Sequence, residues 1–500
     1  MVHVFIESKQ YFNQIQYAFN ILFSALGVQC VYISSLNELR DKDEDISIIY
    51  SNSEFETLGL PGTIRRLIFI KNSGRLFGDD YLKPDSIPLV ACRYRTTGRT
   101  EETNDIISIY SDDKPLYISS DEDKRTIKTN IDMISDIFFM LTRYEEVVNA
   151  GVKKDRHSRF PAVESLAYKN NFLHRPVVNE HIALLGTWIE SLSSGYKRPN
   201  PWGRKAFAVC LSHDVDSILK NQNLFAAFKH TIAILLKYRK PKNAVQYLKS
   251  YFQNRRDHTK DPYWTFNYLI NTEKAYQFNS SFYFLALENS DPDWRYNIND
   301  SKVRVLIEEL DACGCEIGYH GSLVSYNNER VMGLERHRVD AVVLRKPYGC
   351  RQHYLKFRVP FTWRYQQRSG LLYDTTLSFA DHEGFRCGMC LPFKPYDLLD
   401  DHVLDLWEIP LIIMEGTLEY YRKLSPEDGL KKIVSMIETV KKHHGVFTIL
   451  WHNSSFDYDW EEWKPVYEKM MEYLGKSDCI GLSGREAIEH IKGLWEQVHV

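Results

Sequence analysis

The chain is 500 residues long with a mass of 58.7 kDa, 44% hydrophobic and 13% aromatic, which excludes a mainly disordered polymer and leaves room for more than one domain. Its 63 Lys and Arg against 66 Asp and Glu give a formal net charge of −3, so there is no general cationic field for wrapping a nucleic acid. Nine cysteines spread over this length do not make a secreted disulfide framework.

The N-terminal part, residues 1–195, reads as an α/β domain. Its opening, MVHVFIESKQYF, lacks a basic segment followed by an apolar signal core, and no apolar run nears the roughly 20 residues of a membrane span. The expectation is a cytoplasmic protein with no integral membrane segment. Residues 45–50 and 66–70 read as strands, the second ahead of the turn-prone Lys71-Asn72-Ser73-Gly74. A helix is expected over about 131–144, where Ile134, Ile137, Phe138, Leu141 and Tyr144 recur near helical spacing, and another over about 179–192. Between them, the run from Asp155 to Arg159 reads as a charged, solvated loop. The Ser, Pro and Gly residues of 191–203 punctuate the chain and mark a boundary.

From residue 205 to 500, short apolar runs alternate with helical patterns. Strands are expected near 206–212, 281–287, 315–319, 348–353, 372–379, 404–413 and 446–451, and helices near 225–238, 266–277, 301–311, 330–341, 361–369, 428–442 and 462–474. Seven such strands could close into an incomplete or distorted βα barrel, and an open doubly wound sheet fits the spacing nearly as well. Cys387-Gly-Met-Cys390 and Cys313-Gly-Cys315 differ in spacing and read as unrelated reduced thiols. Ser483 and Glu486 match a capping box that should start the last helix.

Ionisable residues recur where the apolar runs stop. Phe207-Ala-Val-Cys-Leu-Ser ends in His213, Asp214 and Asp216, at the edge of a parallel sheet where such folds place their chemistry. If extension persists, Asp214 and Asp216 face one side, so that one carboxylate can hold a metal while the other accepts a proton. His320 follows Glu316-Ile-Gly-Tyr and could ligate a metal. Arg351 could keep a carboxylate ionised, and His353 could complete a metal site, bind substrate or do neither. Val446-Phe-Thr-Ile-Leu-Trp delivers His452, a candidate general acid.

Taken in order, Ser212-His-Asp-Val-Asp216, Glu316-Ile-Gly-Tyr-His320, Arg351-Gln-His-Tyr354, Tyr373 to Asp381 and Trp451-His452 resemble the metal-dependent polysaccharide deacetylases of the NodB homology group, carbohydrate esterase family 4. The N-terminal Asp136-Ile-Phe-Phe-Met-Leu-Thr-Arg-Tyr-Glu-Glu146 and Phe172-Leu-His-Arg-Pro176 are similar to a DUF7033 domain preceding a deacetylase-like domain. The resemblance implies an α/β fold, a distorted (β/α)7 barrel with an N-terminal α/β domain, carrying one divalent metal, zinc above all. It implies removal of an acetyl group from an N-acetylated bacterial glycan or precursor. By resemblance, Asp214 is the general base, Asp216 and His320 are metal ligands, Arg351 orients the base and His452 protonates the departing group. Tyr354, Asp381 and Arg386 are expected to bind substrate. The family's second histidine should lie four residues beyond His320, where this chain has Val324. His353, His213 or a water would then complete the metal site; the alternative is a catalytically inactive glycan-binding or assembly protein.

Overall fold

The computed structural model describes every residue except 40–44, 61–63, 96–104, 113, 122–124, 150, 221–223, 237, 238, 240, 458, 459, 499 and 500. In the N-terminal region six strands form one sheet, in the order Cys30–Ile33, Val2–Ile6, Ile46–Ser51, Leu67–Lys71, Thr126–Thr129 and Ile118–Asp121; only the last pair is antiparallel. Ile46–Ser51 and Leu67–Lys71 are buried at every position, the pattern of central parallel strands covered on both faces. The Phe12–Leu26 helix, which follows the first strand, stops at Gly27, where φ is 62° and the Val28 N–H closes back on the Phe23 carbonyl. The expected helix over 131–144 divides in two. Asp132 caps Met133–Leu141, the chain turns at Arg143 with φ 50°, and a short helix, Tyr144–Val148, follows.

The C-terminal region is built on a curled, open sheet, parallel at every pairing and consistent with a distorted βα barrel. Its order is Trp407–Glu408, Tyr373–Asp374, Cys350–Gln352, Glu316–Gly321, Ser280–Leu285, Phe207–Val215, Val446–Leu450 and Ile413–Met414, with Cys479–Gly481 added beside Phe207–Val215. The two ends of that order are successive pieces of one chain segment. Pro410 lies between them, and having no N–H it interrupts the ladder. Before it, the Ile409 N–H reaches the Asp374 carbonyl at 2.9 Å; after it, the Ile412 N–H reaches Thr448 at 3.1 Å. The single strand expected over 404–413 is therefore two.

The strand expected over 372–379 shrinks to Tyr373–Asp374 for a local reason. The Asp374 carboxylate accepts hydrogen bonds from the Thr376 backbone at 2.8 Å and its hydroxyl at 2.6 Å, a turn that competes with extension. Phe207–Val215 runs further than expected, through His213 and Asp214. The seven helices expected in this region are present within a few residues, and Pro241–Asn254 and Cys479–Gly481 are additional to the expected elements.

The two regions share one continuous apolar core containing residues from Val2 to Trp495. Polar links cross the same boundary, among them Val178 N–H to the Gly388 carbonyl at 2.8 Å and Cys390 N–H to Asn179 at 2.9 Å. All nine cysteines are free thiols; Cys387 and Cys390, both buried, belong to no ligand cluster among the described residues.

Candidate metal centre and its cavity

Because the sheet is parallel, its strands end on one side, and the register sets which side chains meet there. Asp214 lies opposite Tyr283, His320 opposite both Leu285 and Arg351, and Cys350 opposite Asp374. Side chains alternate along Phe207–Val215. Ser212 and Asp214 face the concave side, where Arg351 bonds to both, at 2.9 Å and 3.0 Å, and Asp216, just past the strand, reaches the same space. The Arg351 guanidinium also lies over the Tyr283 ring and donates to the Thr375 carbonyl at 2.9 Å.

Asp216, His320 and His353 bring one potential ligand atom each to within 4.8 Å of one another. The His320 Nε2 is 3.1 Å from Asp216, while its Nδ1 lies 2.9 Å from the Arg351 carbonyl. The His353 Nε2 is 3.4 Å from Asp216, and its Nδ1 is 2.9 Å from Asp293. The outer nitrogen of His320 is held by a carbonyl and that of His353 lies at ion-pair distance from Asp293, while both inner nitrogens are aimed at the Asp216 carboxylate, a disposition that suits metal binding. Two imidazoles and a carboxylate suit zinc or a similar divalent ion. Burial pushes the Asp216 carboxyl up, but His353, His320 and His452 outweigh it and hold it well below the usual carboxylate range. Burial likewise opposes protonation of His353, yet Asp216 and Asp293 raise it to about 9.

Val324, where the family's second histidine is expected, is half exposed beyond Gly321. The His353 ring lies beside that of His320, with centroids 5.1 Å apart. His213 is the correction to the expected ligand set. It points to the convex side of its strand, where Nε2 lies 2.7 Å from Glu273 and Nδ1 lies 2.6 Å from the Trp451 carbonyl, so neither nitrogen faces the cluster.

His452 stands at the edge of the cluster, its Nε2 3.7 Å from Asp216. Its Nδ1 is 2.6 Å from Glu415, a fully buried carboxylate that also accepts from the His452 N–H and the Ser455 hydroxyl. Burial disfavours the imidazolium, but Glu415, then Asp216 and Asp214, raise His452 to about 10. Glu415 and Asp293 were not singled out in the sequence; a carboxylate just past the Ile413–Met414 strand was the available signal for Glu415.

These groups open into a cavity of about 250 Å³ lined by Asp214, Asp216, His353 and His452, with Tyr263, Tyr354, Tyr420 and Trp460 among its aromatic walls. Tyr354 and the next residue, Leu355, both have positive φ, 59° and 54°, a conformation rare for side chains of this size. The Tyr354 carbonyl is held at 2.7 Å by Arg159, which also donates to the Tyr421 hydroxyl at 2.8 Å and pairs with Asp155. The loop read as solvated thus supplies a buried arginine to the cavity wall.

Tyr354 lines the cavity, whereas Arg386 and Asp381 lie elsewhere. Arg386 is buried in a two-oxygen ion pair with Glu146, at 2.9 Å and 2.6 Å, and bonds to the Ser378 carbonyl. Asp381 accepts the Ala162 N–H at 3.1 Å. Both fasten the N-terminal region to the barrel, and neither lines the cavity.

Residues 4–194 match DUF7033, a family of unknown function. No curated protein matches the chain. The likeness to solved structures is distant. The chain is similar to a crystal structure assigned as a polysaccharide deacetylase from Mycobacterium smegmatis, at 14% identity and TM-score 0.39, covering 58% of this chain and 91% of that one. It is similar to Puue allantoinase at 13% identity and TM-score 0.40, over 60% and 95% of the two chains. It is also similar to the carbohydrate deacetylase Agd3 at 9% identity and TM-score 0.34, over 99% and 87%.

Proposed function

We propose that this protein is a metal-dependent hydrolase that removes an acetyl group from an N-acetylated bacterial glycan or precursor. The observation that carries the reading is the convergence of Asp216, His320 and His353, the far side of His320 held by a carbonyl and that of His353 facing Asp293, with Asp214 and His452 beside them. A divalent ion held by those three residues, zinc by preference, would polarise an acyl oxygen and acidify a bound water. Asp214, paired with Arg351, accepts the proton of the attacking water as its oxygen bonds to the acyl carbon. His452, fixed through Nδ1 by Glu415, gives its Nε2 proton to the sugar nitrogen as the carbon–nitrogen bond breaks, leaving acetate and a free amine.

The cavity volume and its tyrosine and tryptophan walls support a sugar-sized substituent as substrate. We assign residues 1–195 to the DUF7033-like domain and 205–500 to the catalytic domain, a distorted (β/α)7 barrel in which the two pieces flanking Pro410 count as one strand. We place the reaction in the cytoplasm. Among the described residues no helix is long and apolar enough to cross a membrane.

The test is to incubate metal-loaded protein with a panel of N-acetylated glycans and to detect acetate and amine together by mass spectrometry. Both products should form with the native chain and be lost with Asp214→Asn. Selective glycan retention without either product would replace the enzyme with the non-catalytic binding protein that Val324 suggests.

A further inference from the structure

We infer that the helical hairpin following Asp216 is a docking surface for anionic lipid. The hairpin consists of Leu224–Leu236 and Pro241–Asn254. In the first helix Ala227, Thr231 and Ile234 are buried at helical spacing, and Ile234 packs with Ala244 and Tyr247 of the second. That face satisfies the need for a core. The opposite face nevertheless carries Phe225, Phe228, Ile232, Leu235 and Leu236, all exposed, with Phe225 at 80% and Leu236 at 75%. Phe225, Phe228, Ile232 and Leu235 are three, four and three residues apart and Leu236 adjoins the last, which makes a continuous stripe along the helix. Val245 and Phe252 add exposed apolar surface from the second helix.

Charge identifies what covers the stripe. Residues 218–256 contain nine Lys and Arg and no Asp or Glu, in a chain whose overall charge is −3. Lys229, Arg239, Lys249, Arg255 and Arg256 are all exposed. An aromatic and aliphatic stripe flanked by exposed cations fits a bilayer interface, where the rings enter the headgroup boundary and the cations meet anionic headgroups. Helices of 13 and 14 residues fall short of the roughly 20 needed to cross, so the hairpin lies in the plane of the surface.

The hairpin is also placed to matter for the cavity. It springs from the residues just after Asp216, and Tyr263, a few residues beyond its second helix, lines the cavity. Asp261 bonds to the Lys220 N–H at 2.8 Å and to Asn254 at 3.1 Å, tying both ends of the hairpin to the rim. Docking would hold that end of the barrel against the lipid. The inference stands whatever reaction the cavity performs.

Vesicle flotation of the full-length protein tests it, with phosphatidylcholine vesicles and with phosphatidylcholine mixed with phosphatidylglycerol. The protein should float with the mixed vesicles at least about tenfold more than with the neutral ones, and less in high salt. Replacing Phe225, Phe228 and Leu236 together by Ser should reduce flotation about tenfold or more while circular dichroism and metal content stay unchanged. Lys229→Glu with Arg239→Glu and Lys249→Glu should abolish the preference for anionic vesicles. Equal flotation with both vesicle types, flotation with neither, or native-like flotation of the serine variant would overturn the inference. So would a self-associating native protein that the same serine substitutions render monomeric, which would assign the stripe to a second copy.

Discussion

His213 and Asp214 are neighbours in the chain, yet the two sides of their strand have opposite characters. On the convex side, His213 spends both nitrogens on protein atoms, and Glu273 accepts from Ser280 and Tyr467 at 2.6 Å as well as contacting His213. That network is closed. On the concave side, His320 and His452 each anchor one nitrogen and turn the other toward Asp216, His353 also aims one nitrogen there, and His353, Asp293 and Glu415 each retain a buried polar atom without a hydrogen bond. Burial and polarity are alike on both sides; what separates a structural network from a site is spare bonding capacity facing a shared space.

The sharpest test of that contrast is Asp214→Asn, which keeps a hydrogen-bonding partner for Arg351 but removes the proton acceptor. Acetate release should fall by roughly 10²- to 10⁴-fold with the fold intact by circular dichroism. Near-native turnover would take the base assignment away from Asp214. Next in size, His353→Ala should weaken zinc retention by at least about 100-fold, and Asp293→Asn by about 10- to 100-fold, in equilibrium titrations. Adding Val324→His to the His353 variant should not restore affinity, because the Val324 side chain is half exposed. Unchanged affinity after the loss of His353 would break the concave-side reading.

On the convex side the expected loss is stability. His213→Ala leaves Glu273 short of a partner and should cost roughly 1–3 kcal/mol in urea unfolding, with metal stoichiometry unchanged. A change in metal content in the folded variant would merge the two sides. The effect that vanishes at neutral pH comes from His443, a buried histidine without a carboxylate partner among the described residues, which burial and then nearby cations push down to about 3. Its folded value lies below the unfolded one, so its contribution is fully present above about pH 6.5 and lost as pH falls toward 3, at up to about 1.4 kcal/mol per pH unit. His443→Asn should flatten stability over that window in denaturant melts repeated across pH; an unaltered slope would remove burial as the cause.

The sequence made the strand ends visible because apolar runs stop abruptly at Asp214, His320 and His452, and period-two alternation put Asp214 and Asp216 on one side once the strand was extended. It left the third ligand open, since His353 and His213 look alike in one dimension and only the pleat and a neighbouring strand tell them apart. Arg386 misled for the opposite reason: a charged residue in a polar run reads as site or solvent until Glu146, 240 residues away, is brought against it. The break at Pro410 was signalled by the proline itself, whereas the turn at Asp374 depends on a side chain bonding two residues ahead. The helix Phe12–Leu26 was not read from the sequence, because from Tyr17 onward it is apolar at all but Asn20 and Ser24, which hides the 3.6-residue period of a helix buried on most sides.

The arginine at 159 makes the two halves of this protein unequal as exchangeable parts. The three candidate metal donors all belong to the barrel and would travel with it into any chimera. The cavity would not, because the carbonyl of Tyr354 and the hydroxyl of Tyr421 are steadied from the other region. A barrel joined to a foreign N-terminal partner should therefore keep its affinity for metal and lose its discrimination among substrates, so that the two regions are constrained to change together.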